Sequence, residues 1–244
     1  MNISEMLGEY ERDYALAMLG VEDFPYQKLS GKTIVVDGES EYMKLTVCMS
    51  LLALNDKEKL SIKVFMLGNG NELSEKLAER NDFSLCSYEQ AAATEYNFFI
   101  STGICGLELN GTSAEYCRIT NNFARAISTA KSCLERCILL SDYRVYGELE
   151  RGLVISENEA GFVPFSNNGD MSQTIAVSIE TYFSAYAKQF NLPTIILRSG
   201  ILLGAKAELP KNFTDELFSA VAEGKQISLP NTRKKYSFTY LNEV

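Results

Sequence analysis

The sequence of 244 residues contains no histidine. Histidine is the commonest general base at neutral pH and the commonest metal ligand among side chains. Its absence excludes a Ser-His-Asp triad, a Cys-His pair and a zinc site built on histidine. We therefore predict none of these mechanisms, and no metal centre.

The sequence also lacks any run of lysine and arginine longer than Arg233-Lys-Lys235, and 32 acidic against 23 basic residues give a net charge of −9. An acidic surface repels nucleic acids and anionic membranes, so we expect neither as a partner. No apolar run reaches the roughly 18 residues that a membrane-spanning helix needs. Small molecules and proteins remain as classes of partner.

Disulfide and targeting signals are missing as well. The six cysteines have no Cys-x-x-Cys spacing, and several fall in apolar stretches, as reduced core thiols of cytosolic proteins do. The first 19 residues are amphipathic and carry several acids, unlike a secretory signal or a transit peptide. We therefore expect a cytoplasmic protein.

What the sequence does contain is a regular alternation of helical and strand patterns. Such alternation predicts an α/β protein with a Rossmann-like, doubly wound parallel sheet and helices on both faces. The predicted strands are Thr33–Asp37, Ile62–Leu67, Phe83–Cys86, Tyr96–Ser101, Cys137–Ser141 and Thr194–Arg198. The predicted helices cover residues 3–19, Glu41–Asn55, Leu73–Arg80, Ser113–Cys133 and Ser172–Phe190.

Four segments carry a resemblance to a known family: Lys32–Gly38, Ser141–Glu148 with its Val-Tyr-Gly-Glu, Glu180–Gly200, and Tyr236–Val244. In this order and at about this spacing they resemble the extended short-chain dehydrogenase/reductases, the NAD-dependent epimerases and dehydratases of nucleotide sugars. Residues 1–30 precede these motifs, and their apolar spacing predicts an extra amino-terminal helix followed by a linker. The resemblance implies a Rossmann-like NAD(P)-binding core over residues 31–200. Residues 201–244 would be a short, incomplete substrate lid.

The resemblance implies NAD or NADP as cofactor and places its contacts at the carboxyl ends of the strands. Glu41 and Lys44 stand where the second and third glycines of the phosphate-binding turn are expected, and a carboxylate there repels a phosphate. Gly38 is a phosphate turn in one interpretation and an ordinary strand-to-helix turn in the other. The candidate cofactor residues are Gly38, Ser40, Glu41, Gly68, Asn69, Ser101, Gly103, Ser141 and Arg198.

The family's catalytic Ser or Thr, Tyr and Lys have no counterpart at the matching positions, which hold Asp142, Ser172 and Ala176. We therefore assign no catalytic residue. Tyr182 and Tyr186 follow on the same helix, displaced by roughly 10 Å or more along its axis. Asp142 is either a replacement acid or base beside Ser141, or a solvated or loop-bonding residue at a strand end.

Three functions remain open. A degenerate member of the family would act as a binding or scaffolding module in nucleotide-sugar or surface-polysaccharide metabolism, as a homodimer or beside an active relative. An active epimerase, dehydratase or reductase would use substituted groups, and a sensor would bind a nucleotide or nucleotide sugar without turnover. An apolar face on the two long helices serves either a dimer or only the sheet: Ile119, Phe123, Ile127, Ile179, Phe183 and Tyr186.

Overall fold

The structure is a computed structural model, and it describes residues 25–147, 156–157, 171–203, 219–226 and 238–240. The helix predicted over residues 3–19 lies outside the described residues. None of the described helices is both long enough and apolar enough to cross a lipid bilayer.

Strands and helices alternate through most of the described chain. The elements are β1 (Thr33–Asp37), α1 (Glu41–Glu58), β2 (Lys63–Leu67), α2 (Glu72–Leu77), β3 (Phe83–Cys86), α3 (Tyr88–Ala93), β4 (Tyr96–Ser101), α4 (Ser113–Thr129), β5 (Cys133–Asp142), α5 (Ser172–Phe190) and β6 (Thr194–Ser199). They form a parallel sheet in the order β3-β2-β1-β4-β5-β6, which confirms the predicted Rossmann-like fold. β7 (Ile201–Leu203) and β8 (Phe238–Tyr240) form a separate parallel pair.

Several predicted bounds differ from the structure, and one helix was not predicted: α1 extends to Glu58, α2 ends at Leu77, and β5 begins at Cys133. The helix expected to reach Cys133 ends at Thr129, because a short 3-10 turn follows and Cys133 already pairs with Tyr96 of β4. The six-residue helix α3 was not predicted, since it is too short to show a clear apolar period. Its signal is the capping box of Ser87 and Gln90, each side chain bonding the other's backbone N–H.

Both faces of the sheet are covered. Val35 and Phe99 point to the face packed by α3, α4 and α5, whereas Ile34 and Val36 point to the face packed by α1 and α2. Most of the apolar face predicted on the two long helices is buried in the first of these layers, and Tyr186 packs at its margin: Ile119, Phe123, Ile127, Ile179 and Phe183. These residues therefore serve the sheet of their own chain.

Candidate functional site

The strand order places a crevice at the carboxyl ends of β1 and β4. Successive strands are added on one side of β1 as far as β3, and the chain then crosses to β4 on the other side. In open α/β sheets, ligands bind outside the strand ends at this reversal. The turn after β1 and the segment after β4 therefore form the candidate site.

Gly38 forms the tight turn after β1. Its φ of +152° is a conformation that residues with a side chain rarely adopt, and a Cβ atom there would lie 1.9 Å from Thr102 Oγ1. The backbones on the two sides stay bonded past the strand ends, because the Glu39 N–H donates to the Gly103 carbonyl oxygen at 2.9 Å. Packing against the neighbouring segment is thus enough to require glycine, as the structural interpretation predicts.

The residues at the expected glycine positions form an ion pair. Ser40 caps α1 by accepting a hydrogen bond from the Met43 N–H. Lys44 Nζ lies 3.0 Å from Glu41 Oε2 and donates to the Leu67 carbonyl oxygen at 3.2 Å, with only 8% of its side chain exposed. The same nitrogen lies 3.7 Å from the position of a Cβ on Gly68. The pair therefore ties α1 to the end of β2.

Glu39 is a site residue that the sequence reasoning missed. Its carboxylate accepts a hydrogen bond from Asn122 Nδ2 at 3.0 Å and forms an ion pair with Arg118, both on α4. Only 12% of the Glu39 side chain is exposed. The sequence shows Glu39 as a charged residue of the turn, in addition to Glu41 and Lys44. Its partner could not be found from local spacing, because Arg118 lies 79 residues further along the chain.

Asp37 is a second missed residue, at the end of β1. Ser101 Oγ donates to its carboxylate at 3.3 Å and accepts a hydrogen bond from the Gly103 N–H. Burial raises the pKa of Asp37 from 3.8 to about 6, against smaller opposing effects of Lys44 and the Gly38 N–H. The carboxyl group therefore titrates close to neutral pH.

The residues of this turn do not fit the pyrophosphate of a dinucleotide. Asp37 and Glu39 immediately precede the Ser40 cap of α1 and Glu41 lies in its first turn, where a phosphate needs free N–H groups and glycine. Glu41 Oε1 is also buried without a hydrogen-bond partner among the described residues. A phosphate would add negative charge beside a carboxylate oxygen that already lacks a donor.

Asp142 bonds the loop that follows β5. Its Oδ1 accepts from the Arg144 N–H at 2.8 Å and from Nε at 2.7 Å, and its Oδ2 accepts from Nη2 at 2.8 Å. It also caps the 3-10 turn Tyr143–Tyr146. These contacts are those of a loop-bonding residue, and the side chain is buried rather than solvated.

The other two catalytic positions lie on α5. Ser172 begins the helix, and Ala176 is buried in the core with 2% exposure, so neither supplies a phenol or an amine. Tyr182 lies further along the helix and is largely exposed. Tyr186 stacks on Phe190 with ring centroids 4.8 Å apart. The described part of α5 thus brings no tyrosine to the carboxyl edge of the sheet.

Ser141 and Arg198 contact α5 instead of the crevice. Ser141 Oγ donates to Glu180 Oε1 at 2.5 Å. Arg198 donates to both oxygens of Glu180, at 3.0 and 2.8 Å, and its guanidinium lies over the ring of Tyr146. Hydrogen bonding to Glu180 holds the pKa of Arg198 above its ordinary value. Both candidate cofactor residues are therefore occupied by structural partners.

The remaining candidates divide between two positions. Gly38, Ser40, Glu41, Ser101 and Gly103 come together where β1 and β4 end, and the Gly103 φ of +50° again favours glycine. Gly68 and Asn69 follow β2, and Asn69 is exposed to solvent. Among the described residues, no three His, Cys, Asp or Glu side chains are grouped so as to hold a metal ion.

Comparison with known proteins shows likeness in structure only. No protein-family model and no curated protein sequence matches the chain. UDP-glucuronic acid 4-epimerase from Bacillus cereus, solved in complex with NAD, superposes with a TM-score of 0.63 at 16% identity, over 85% of this chain and 68% of that one. The chain has the fold of the nucleotide-sugar epimerases and dehydratases. The resemblance drawn from the four motifs is confirmed at this level.

Two further structures agree. UDP-N-acetylglucosamine 4-epimerase from Methanobrevibacter ruminantium, in complex with UDP-N-acetylmuramic acid, has a TM-score of 0.61 at 17% identity, over 87% of this chain and 70% of that one. dTDP-glucose 4,6-dehydratase from Streptomyces venezuelae, with NAD bound, has a TM-score of 0.61 at 15% identity, over 85% and 68%. At these identities the likeness shows the fold and leaves the activity open.

Proposed function

We propose that this protein is a non-catalytic relative of the nucleotide-sugar epimerases and dehydratases, acting as a binding or scaffolding module in nucleotide-sugar or surface-polysaccharide metabolism. The observation that carries the proposal is the state of the three catalytic positions. Asp142 is bonded to Arg144 through both carboxylate oxygens, Ser172 begins α5, and Ala176 is buried.

Proton transfer needs a group whose lone pair or proton faces the substrate and whose pKa lies near the working pH. The three hydrogen bonds from Arg144 take up the Asp142 carboxylate. Neither Tyr182 nor Tyr186 on α5 has a lysine four residues later, so the paired phenol and amine of the resembled family are absent there. The geometry at the three matching positions therefore favours a site without the acid and base chemistry of the resembled family.

A nucleotide sugar is the ligand class that the fold suggests. The three structural relatives named above are enzymes of UDP- or dTDP-sugars, and one of them holds a UDP-sugar. The protein would hold such a ligand, or would present the fold to a second copy or to an active relative. Saturable binding of UDP-sugars in calorimetry supports the binding role, and its absence leaves the scaffolding role.

Turnover is tested with purified protein, NAD⁺ or NADP⁺, and UDP-glucuronic acid, UDP-N-acetylglucosamine or dTDP-glucose in turn. We expect no new sugar nucleotide by NMR or anion-exchange chromatography, and no change in absorbance at the wavelength of the reduced cofactor. Product formation that requires the protein would overturn the proposal.

The alternative is an active enzyme in which Asp142 transfers the proton. The discriminating variant is Asp142→Asn, which keeps a carbonyl oxygen for the Arg144 N–H and removes the carboxylate. Under the alternative, turnover of the wild type falls by a factor of about 100 or more in this variant, the usual effect of losing a general acid or base. Under the proposed function, neither protein turns over.

A further inference from the structure

We propose that the chain's own side chains close the crevice in which a dinucleotide pyrophosphate would lie, with Glu39 as the closing residue and Arg118 as the cation that Glu39 occupies. The proposal deepens the proposed function, on which it rests for the nature of the excluded ligand. It extends the prediction drawn from Glu41 and Lys44 to a residue pair that sequence spacing could not reveal.

The Glu39 side chain reaches from the turn after β1 to α4. Glu39 belongs to the turn after β1, whereas Arg118 and Asn122 belong to α4, which follows β4. The crevice runs between these two segments, because they leave the sheet at the point where the strand order reverses. A side chain bonded to both α4 residues therefore crosses the crevice.

The other side of the turn is held in a similar way. Lys44 bridges Glu41 and the carbonyl oxygen of Leu67, which joins α1 to the end of β2. The turn is thus bonded to α4 on one side and to β2 on the other. The charged groups that make these bonds stand in place of the glycine and N–H groups that a pyrophosphate requires.

Displacing Glu39 would be unfavourable. A phosphate that took Arg118 would leave the Glu39 carboxylate largely buried, with Asn122 as its remaining partner, close to the phosphate charge. Removing one partner of such a pair leaves an uncompensated charge in a poorly solvated place. By contrast, removing Glu39 itself frees a guanidinium suited to bidentate contact with a phosphate.

The test compares four proteins by calorimetry with NAD⁺ and NADH: wild type, Glu39→Ala, Glu39→Ala with Arg118→Gln, and Glu41→Gly with Lys44→Gly. Glu39→Ala should bind each dinucleotide at least about tenfold more tightly than the wild type, a difference of about 1.4 kcal/mol. If the wild type shows no binding, the comparison is with the weakest affinity that the calorimeter detects. Adding Arg118→Gln should abolish that gain. The glycine pair should bind no better than the wild type, because Glu39 still crosses the crevice.

Each contrary result decides against the proposal. If the wild type and Glu39→Ala bind NAD⁺ with equal affinity, Glu39 does not close the crevice. The same conclusion follows if only the variant with Glu41→Gly and Lys44→Gly gains NAD⁺ binding. A gain that persists with Arg118→Gln shows that Arg118 is not the freed cation. Circular dichroism and thermal melting confirm that each variant is folded; Glu39→Ala is a single change outside the core, so folding is expected.

The result stays separate from the proposed function. Tight NAD⁺ binding by the wild type without turnover of any nucleotide sugar overturns the closed crevice and leaves the non-catalytic role standing. Turnover by the wild type overturns the non-catalytic role. Binding by Glu39→Ala without turnover supports both.

Discussion

Asp142 and Arg144 form a structural pair at a position that matches a catalytic residue of the family that the sequence resembles. Both side chains are mostly buried, and the carboxylate satisfies the guanidinium and the backbone of the following turn. Burial opposes the charge of Arg144, but the bonds to Asp142 outweigh it and raise the pKa of Arg144 above its ordinary value. The pair holds the end of β5 to the loop after it.

Replacing Asp142 with alanine should therefore destabilise the fold. We expect a loss of about 3 kcal/mol in the free energy of unfolding, because Arg144 is left as an unpaired, largely buried cation. Urea denaturation measures the loss. Glu72→Gln is the matched control, since the Glu72–Lys76 pair is exposed and should change stability by no more than about 0.5 kcal/mol. Equal effects of the two substitutions would contradict this account.

Asp37 makes stability depend on pH. Its pKa is about 6 in the folded protein and 3.8 in an unfolded chain, so the folded state binds the proton more tightly. The stabilisation is complete below about pH 4 and is lost as the pH rises through about 6, where the buried group must ionise. The direction is opposite to that of an ordinary salt-bridged aspartate.

Asp37→Asn removes this dependence. Relative to the wild type, the variant should gain stability between pH 4 and pH 7, by up to about 3 kcal/mol. Urea denaturation at four pH values across that range measures the difference, and the exposed Glu95→Gln serves as control. A constant difference between Asp37→Asn and the wild type at all pH values would show that Asp37 titrates normally.

At the scale of elements, the turn between β1 and α1 is determined by close packing. A methyl group on Gly38 would meet Thr102 Oγ1 at 1.9 Å, and the backbone conformation is itself unfavourable for alanine. Gly38→Ala should cost about 3 kcal/mol or more of unfolding free energy, from overpacking together with backbone strain.

Thr102→Ala tests the packing part of this cost. When Thr102 is alanine, Gly38→Ala should lose less unfolding free energy than it does in the wild type. Part of the loss should remain, because the Cβ of residue 102 stays 3.1 Å away and the φ of +152° persists. Gly31→Ala is the control for strain alone: its φ is +69°, and nothing lies within 4 Å of the added Cβ. A cost at Gly38 that Thr102→Ala does not reduce would exclude the contact as its cause.

At the scale of the whole molecule, the two long helices cover the sheet of their own chain. Phe183 on α5 is fully buried in the same core cluster as Phe123 of α4, whereas Tyr182 on the same helix is 42% exposed. Phe183→Ala should cost about 3 to 5 kcal/mol, and Tyr182→Ala about 0.5 kcal/mol or less.

The same experiment bears on dimerisation through these helices. If Phe183 packs only within its own chain, the loss of unfolding free energy caused by Phe183→Ala should not change when the protein concentration is varied tenfold. A loss that shrinks as the concentration rises would indicate that a partner chain covers this residue. Whether the protein is a homodimer or pairs with an active relative remains a prediction.

The sequence by itself determined the fold class and the type and approximate position of most elements. β-branched runs such as Thr33–Asp37 and long apolar periods such as Ser172–Phe190 are local patterns, and local patterns predict strands and helices. The sequence also determined which residue types are missing from the site. Asp142, Ser172 and Ala176 were located by counting residues from the motifs that carry the resemblance. The short helix α3 was missed because its period is too brief to detect.

Only the tertiary structure decided what these residues contact. Glu39 meets Arg118, Ser141 meets Glu180, and Asp37 meets Ser101, in each case across a long stretch of chain. Such partners are set by how strands align in the sheet and how helices pack on it, and no local pattern encodes that alignment. The charged turn after β1 could thus be predicted from spacing, whereas its closure by α4 appears only when the sheet brings the two segments together.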